Sequence, residues 1–203
     1  MNTVNPKILI GITGVISSGK SLLTNYLRAL GYFCLSADEV NHELLKDITH
    51  IKHINRLLFN EDKTTLNKKR IKTRIFNDPI AKQALEKYLH PLIKDIILAE
   101  IDQSNEKIIF VEVPLLFESG YDFFNKVITV YLDEPTIIKR LLKRDKITKE
   151  MAKKIIESQM SIDEKVNLSD YVIDNSKSIN YTKQQANELL KELEKEYGNI
   201  QNK

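Results

Sequence analysis

The sequence predicts an α/β fold in which a parallel β-sheet is covered by helices on both faces. Two observations support this prediction. Short apolar, β-branched runs alternate along the 203 residues with segments whose apolar residues recur at helical spacing. A block of helical pattern with no convincing buried strand, residues 46–105, separates the second apolar run from the third. The chain length fits one such domain with an inserted subdomain.

The apolar runs are the predicted strands, and they cover residues 7–13, 32–37, 107–113, 126–132 and 170–175. A helix is predicted from Lys20 to Leu30, where Gly31 would end it. Another is predicted over residues 148–160 with Thr148 as its N-cap. The chain is expected to close with a polar amphipathic helix.

Inside the insertion, Asp78 and Pro79 are typical of a helix start. Pro91 is expected to interrupt or kink the helix that begins there, because proline lacks the backbone N–H that a helix interior needs. We read this block as a substrate-side subdomain.

Composition restricts the function. The net charge is only +3, from 31 basic and 28 acidic residues of scattered sign, which argues against a dedicated nucleic-acid binder. Cys34 is the only cysteine, so no disulfide can form within the chain and a reducing compartment is indicated. The N-terminal residues do not resemble a signal peptide, and no apolar run approaches the length of a membrane span. We therefore expect a cytoplasmic protein without a nucleic-acid or membrane partner.

Half of the six glycines, Gly11, Gly14 and Gly19, lie within nine residues. The segment from Gly14 to Ser21 fits G-x-x-x-x-G-K-[ST], placed after a predicted strand and before a predicted helix. A glycine turn that binds nothing would explain Gly14, but it gives no reason for Gly19, Lys20 and Ser21 in that order. The motif predicts a loop that holds a nucleoside triphosphate.

Each residue type in this motif suits a triphosphate. Backbone amides at the start of a helix face an anion, and Gly14 and Gly19 leave room for the phosphates. Lys20 would reach the β- and γ-phosphates, and the Ser21 hydroxyl would bind Mg²⁺. The predicted ATP-binding residues in this loop are Gly14, Ser17, Ser18, Gly19, Lys20, Ser21 and Leu22.

The loop alone leaves GTPases, motor ATPases and small-molecule kinases open. A GTPase would need Asn-Lys-x-Asp after a later strand, but Asp133, Glu134 and Pro135 follow the run at 126–132. Asp38 follows the second strand, where a carboxylate could accept the proton of an attacking hydroxyl and help to hold water on Mg²⁺. The alternative is that Asp38 is a helix N-cap, and one residue can fill both roles.

Several further motifs occur in order from about residue 8 to residue 175: GITGVISSGKS, SAD after the second strand, RIFNDP with LEKYLHPLI, VEVPLLFESG, RLLKRD and YVIDN. Together they resemble the dephospho-CoA kinase family. The pairing of HPLI with PLLFE is more specific than the glycine motif. The resemblance implies transfer of the γ-phosphoryl group of ATP to the 3′-hydroxyl of the dephospho-CoA ribose. It also implies a P-loop kinase fold with a five-stranded parallel core, a helical CoA-side subdomain and a small lid.

The resemblance also implies roles for individual residues. Asp38 corresponds to the second acid of the family's Asp-Ala-Asp and is the expected catalytic base, assisted by Lys20 and Arg140. The residues expected to bind the acceptor are Asp38, Lys72, His90 with Pro91, Pro114, Leu115 and Leu116. Arg140 and Arg144 correspond to lid arginines that fold over the phosphates.

This chain departs from the family pattern at a few positions. Val15 and Ser17 replace glycines of the family's Gly-Gly-Ile-Gly-Ser-Gly-Lys, and neither is a framework glycine of the motif. Ser36 replaces the first acid of Asp-Ala-Asp, which could weaken metal binding. Lys72 stands where arginine is common, so a point charge replaces a bidentate donor.

Some candidate residues have a second interpretation. Glu112 follows an apolar strand, and it could support Mg²⁺ or serve only as a structural hydrogen-bond acceptor. Arg140 and Arg144 lie one helical turn apart, which suits a lid, although such pairs are often solvated or paired with acids such as Asp145. His90 alone would more often be a packed or capping residue.

We therefore expect an ATP- and Mg²⁺-dependent dephospho-CoA kinase, a monomer or weak homo-oligomer. The predicted organisation is a core at about 5–45 and 106–200, a helical CoA-side subdomain at about 46–105 and a lid at about 139–160. The alternatives are a P-loop kinase for another nucleotide or small metabolite, a non-catalytic ATP-binding regulator, or an inactive family member, the last prompted by Ser36.

Overall fold

The structure is a computed structural model and describes residues 7–198 and 200. It contains a five-stranded sheet in the order β2-β3-β1-β4-β5, and every neighbouring pair is parallel. The strands are β1 (Ile8–Thr13), β2 (Phe33–Ser36), β3 (Ile108–Glu112), β4 (Lys126–Tyr131) and β5 (Tyr171–Asp174). The predicted fold class and the five predicted strands are confirmed.

The helices are α1 (Lys20–Ala29), α2 (Ala37–Leu44), α3 (Ile48–Phe59), α4 (Lys68–Asn77), α5 (Pro79–Gln103), α6 (Glu134–Asp145), α7 (Lys149–Glu157), α8 (Ile162–Leu168) and α9 (Ile179–Tyr197). The predicted caps of two helices are confirmed: the Asp78 side chain accepts backbone N–H groups at the start of α5, and the Thr148 side chain does so for α7. Gly31, with φ of +91°, follows the end of α1 as predicted.

Two local predictions are wrong. The helix α5 continues through Pro91, so the predicted interruption there is wrong, and the alternative of a kink stays a prediction. Its apolar face, with Leu89, Ile93 and Ile97, is buried, and this packing offsets the hydrogen bond that proline cannot donate. The helix α2 begins at Ala37, so Asp38 lies in its first turn and is not its N-cap.

The chain forms two compact units. Among the described residues, the first comprises 7–36 together with 105–198 and 200, and it contains the sheet with α1 and α6–α9. The second comprises Ala37–Ser104 and contains α2–α5. The assignment of roles to a core, a CoA-side subdomain and a lid stays a prediction.

In the first unit, β1 lies at the centre of the sheet between β3 and β4. Its residues Ile10 and Ile12 are fully buried in a core with Leu23 and Leu27 of α1 and with the apolar face of α9. Such burial on both faces accounts for the unbroken apolar runs of these strands. This topology places the carboxyl end of β1, and the glycine motif that follows it, in the middle of the sheet edge.

Candidate active site

The residues between β1 and α1, 14–19, form a turn that we call the glycine loop. Its framework glycines have positive φ angles, +145° at Gly14 and +103° at Gly19. A Cβ at Gly14 would lie 2.6 Å from the Val130 carbonyl oxygen, and one at Gly19 would overlap the Asn175 Nδ2 atom. The sequence predicted that both glycines leave room for the phosphates. The structure adds that they allow close contact with β4 and with the residue after β5.

Three distant side chains hold the backbone of the glycine loop. Gln159 Oε1 accepts the Ile16 N–H at 3.0 Å, Arg140 Nη1 donates to the Ser17 carbonyl at 3.3 Å, and Asn175 Nδ2 donates to the Ser18 carbonyl at 2.7 Å. Asn175 is buried and its Oδ1 accepts the Thr182 hydroxyl at 2.8 Å. These contacts fix the peptide planes of the loop from outside. Neither Gln159 nor Asn175 was predicted as a site residue from the sequence.

Lys20 is the first residue of α1 and is 7% exposed. Its ammonium donates to the carbonyl oxygens of Gly14 and Val15 at 3.0 and 3.1 Å. The cation therefore lies across the glycine loop, at the helix N-terminus where backbone amides also favour an anion.

The glycine loop contains two buried hydroxyl oxygens, Ser17 Oγ and Ser18 Oγ, that have no hydrogen-bond partner among residues 7–198 and 200. Buried hydroxyls normally have a partner, and exceptions concentrate where a ligand completes the site. Some amides of the loop and of the first turn of α1, however, are already used: the Ser18 N–H donates to the Val15 carbonyl and the Leu22 N–H to the Gly19 carbonyl.

Ser17 adopts a left-handed backbone conformation, with φ of +61°. We expect Ser17→Gly to raise the free energy of unfolding by about 1 kcal/mol, because an L-residue pays for this conformation and glycine does not. Thermal unfolding should then occur about 2–4 °C higher. Ser17→Ala is the control, since it removes the hydroxyl and keeps the Cβ. A melting temperature for Ser17→Gly below that of Ser17→Ala would contradict the prediction.

Glu112 ends β3 beside the loop, in register with Ile12 of β1. Its carboxylate is 4% exposed and accepts the Ser21 hydroxyl at 3.2 Å and the Thr24 hydroxyl at 2.8 Å. Both interpretations of Glu112 fit this geometry. The carboxylate is a structural acceptor, and it lies beside the hydroxyl that the motif predicts to bind metal.

The two predicted lid arginines lie on α6 and have different surroundings. Arg140 contacts the glycine loop through Ser17, as described above. Arg144 forms a bidentate ion pair with Asp145, at 2.8 and 2.9 Å, and this hydrogen-bonded carboxylate raises the pKa of the guanidinium. The structure therefore brings only Arg140 to the loop.

Apolar side chains of α6 and α7 pack against the glycine loop. Val15, one of the family-glycine replacements, is fully buried in an apolar cluster with Leu132 and with residues of both helices. These residues are Ile137, Ile138, Leu141 and Ala152. The substituted side chain therefore fills the contact between the loop and the helices of the predicted lid.

The segment after β3 contains the predicted acceptor-side residues Pro114, Leu115 and Leu116. The Pro114 carbonyl accepts the Thr13 hydroxyl at 3.1 Å and the Lys165 ammonium at 3.2 Å. Leu116 is buried, 1% exposed, against Gly11 of β1. This segment is therefore attached to the strand that leads into the glycine loop.

The remaining predicted residues belong to the second unit. Asp38 is exposed in the first turn of α2, Lys72 is exposed on α4, and His90 is partly buried on α5. Along the chain, α2 follows directly after β2, so Asp38 comes two residues after the carboxyl end of that strand.

The first unit thus contains a central strand, a glycine loop, a helix that opens with Lys20 and Ser21, and an acid on the neighbouring strand. With the five-stranded parallel sheet, these features define a P-loop kinase. The family model for dephospho-CoA kinase matches residues 8–181. The chain belongs to the dephospho-CoA kinase family.

Individual relatives agree over nearly the whole chain. A dephospho-CoA kinase of Rickettsia typhi is 35% identical over 92% of this chain and 98% of its own. The structure of the dephospho-CoA kinase from Campylobacter jejuni has a TM-score of 0.67 and 30% identity, over 94% of this chain and 99% of that one. A crystal structure of a Thermus thermophilus protein has a TM-score of 0.79 and 27% identity, over 92% and 98% of the two chains. Among residues 7–198 and 200, no helix has the length and apolar character needed to cross a membrane.

Proposed function

We propose that this protein transfers the γ-phosphoryl group of ATP to the 3′-hydroxyl of the dephospho-CoA ribose, giving CoA and ADP. The observation that supports this most is the complete glycine loop, with Lys20 and Glu112 in place, inside a chain whose family match spans residues 8–181. In this reaction the 3′-oxygen forms a bond to the γ-phosphorus and the bond from that phosphorus to the β–γ bridging oxygen breaks. The hydroxyl proton leaves to a base.

On the ATP side, the proposed contacts are those of the glycine loop. The amides at the start of α1 and the Ser17 and Ser18 hydroxyls would face the phosphates, and Gly14 and Gly19 of the loop and Leu22 of α1 would complete the site. Lys20 would exchange its bonds to the loop carbonyls for the β- and γ-phosphates. Arg140, already at the loop, would stabilise charge that develops during transfer. Arg144 would first have to leave Asp145.

Mg²⁺ is the proposed metal. Among the described residues, no group of three or more His, Cys, Asp and Glu side chains could hold a metal ion. In kinase sites, however, Mg²⁺ is bound through one or two protein oxygens together with substrate phosphates. The Ser21 hydroxyl and the Glu112 carboxylate, 3.2 Å apart, are hard oxygen donors of that kind. When bound there, the ion would neutralise charge on the phosphates.

The acceptor side rests on the family resemblance and on residue chemistry. Asp38 is the proposed base, and its exposed carboxylate follows β2 directly along the chain. Lys72 and His90 would contact the anionic and hydrogen-bonding parts of dephospho-CoA, and Pro114 and Leu115 would line the acceptor site. ATP and dephospho-CoA as the substrates support a cytoplasmic location. A monomer or weak homo-oligomer remains our expectation.

An ADP-release assay with Mg-ATP tests the proposed function. Dephospho-CoA should be compared with AMP, CMP, shikimate and no acceptor, and CoA should be identified by mass spectrometry. Lys20→Met, purified in parallel, controls for contaminating kinases and should be inactive. ADP and CoA only with dephospho-CoA would support the proposal. Formation of ADP with another acceptor would overturn the proposal that dephospho-CoA is the substrate. ATP binding without any product would favour a non-catalytic ATP-binding regulator or an inactive family member.

Replacing Glu112 tests its place at the metal. We expect Glu112→Gln to raise the Mg²⁺ concentration for half-maximal activity by about tenfold, because a charge next to a metal ligand is lost and the hydrogen bonds can remain. Thr24→Val is the matched control, since it removes a hydrogen bond to Glu112 and keeps the charge. An unchanged Mg²⁺ dependence in Glu112→Gln would leave Glu112 with the structural role only.

A further inference from the structure

The junction between α7 and α8 contacts two functional segments through adjacent residues. The Gln159 side chain accepts the Ile16 N–H of the glycine loop at 3.0 Å. The next residue, Met160, donates its own N–H to Glu118 Oε1 at 3.0 Å. Glu118 belongs to the segment that follows β3 and contains Pro114. One short turn thus attaches both to the loop that would hold ATP and to the segment that would face the acceptor.

A buried lysine completes the connection. Lys165 of α8 is 0% exposed, and its ammonium donates to Glu118 Oε2 at 2.7 Å and to the Pro114 carbonyl at 3.2 Å. The same carbonyl accepts the Thr13 hydroxyl at the end of β1. The hydrogen bonds therefore form a circuit that leaves the glycine loop at Ile16 and returns to the chain at Thr13, three residues earlier.

Removing the charged groups of this ion pair from water costs more free energy than a purely structural contact requires. Burial lowers the pKa of the Lys165 ammonium, and the hydrogen bond to Glu118 opposes that shift. A well-packed apolar pair of similar volume is commonly as stable as a buried ion pair, or more stable. What the charged pair adds is defined geometry, because short charge-assisted hydrogen bonds hold the ammonium, the carboxylate and the Pro114 carbonyl at hydrogen-bonding distance.

We propose that Glu118, Gln159 and Lys165 form a positioning bridge that sets the segment after β3 in a fixed register with the glycine loop. This inference rests on the proposed function, which places ATP on the loop and the acceptor beside Pro114 and Leu115. In-line transfer requires the two reacting atoms to be held together, and displacement by about 1 Å can cost about 100-fold in rate. The bridge residues act through the segments they hold, and they need not touch either substrate.

The first test is the double variant E118Q/K165M. Lys165→Met alone would leave a partly buried Glu118 carboxylate without its cation, and such a loss is strongly destabilising. Adding Glu118→Gln removes that charge and keeps an oxygen for the Met160 N–H. We expect the double variant to melt within a few degrees of the wild type and to keep the KM for ATP within about twofold, while kcat falls about tenfold. If these residues had only a structural role, the double variant would have wild-type kcat as well as near wild-type stability.

Gln159→Met is the second variant, and it removes only the acceptor of the Ile16 N–H. Gln159 is half-buried and methionine has nearly its shape, so the fold should tolerate the change. We expect a fall in kcat of about five- to tenfold at an unchanged melting temperature. Gln184→Met on α9, whose side chain bonds only to Glu188 among the contacts described, is the control and should retain wild-type kinetics.

Amide hydrogen exchange of the protein without substrates gives a readout that does not depend on the reaction. E118Q/K165M should speed exchange in the peptide that contains the glycine loop, and Gln159→Met should speed it in the peptide over residues 114–120, each at least about threefold. Unchanged exchange in both peptides, or a folded double variant with wild-type kcat, would overturn the bridge. If the wild type made no CoA, the proposed function would fail, and the exchange result would still decide the bridge.

Discussion

Asp38→Asn is expected to lower kcat by about 10²- to 10⁴-fold, the range typical for loss of a positioned general base. Asparagine keeps the size and hydrogen-bonding reach of the side chain, but it cannot take the proton of the attacking hydroxyl. The affinity for ATP should stay within about twofold, because Asp38 is not part of the glycine loop. Asp38 is exposed on α2, so the substitution should not affect folding.

The neighbouring acid provides the control for this experiment. Glu39→Gln removes the same charge from the same turn of α2, and its kcat should remain close to that of the wild type. Initial rates with dephospho-CoA and calorimetric titration with ATP measure the two quantities separately. Normal turnover in Asp38→Asn would show that another group accepts the proton.

Gly19→Ala is expected to destabilise the protein by about 3 kcal/mol and to remove most of its ATP affinity. Two costs add. The backbone at Gly19 has φ of +103°, which alanine adopts only with strain, and the new Cβ would overlap Asn175 Nδ2. Asn175 would have to release the Ser18 carbonyl, so the peptide plane that it fixes would turn.

Another glycine separates these two costs. Gly31 has a similar φ of +91°, but a Cβ there would have nothing within 4 Å. Gly31→Ala should therefore show the backbone strain alone, about 1 kcal/mol, with unchanged ATP affinity. Chemical denaturation and ATP titration of both variants measure the difference. Equal destabilisation by the two substitutions would mean that the overlap with Asn175 does not contribute to the loss of stability.

The local features of the site could be read from the sequence. A β-branched run followed by Gly14, Gly19, Lys20 and Ser21 has few structural solutions, and the strand, loop and helix occur where the pattern predicts them. The alternation of apolar runs and helical segments likewise implied the parallel sheet. In these cases a pattern along the chain was enough to predict the structure.

The residues that hold the glycine loop could not be found in this way. Gln159 and Asn175 lie 143 and 157 residues from their partners in the loop, and only the tertiary fold brings them together. Lys165 appears in the sequence as one charge in a polar segment between the predicted helix at 148–160 and the predicted strand at 170–175, and no periodicity shows that it is buried. The motif YVIDN did include Asn175, but resemblance alone did not reveal what its amide contacts.

The roles of Asp38, Lys72 and His90 depend on another kind of information. These side chains belong to the unit of α2–α5, and their chemistry toward dephospho-CoA is a prediction from the family pattern. Local rules also failed there, because the packing of α5 outweighed the helix-breaking tendency of Pro91.

The burial of Val15 also has a calorimetric consequence. Because α6 and α7 already cover this side chain, its apolar surface is removed from water before any nucleotide arrives. A loop that closed such a contact only on binding would give a more negative heat-capacity change with ATP. We therefore expect the enthalpy of ATP binding to vary little with temperature. The temperature dependence of this binding enthalpy should be compared with that of Val15→Gly, which restores the family's residue.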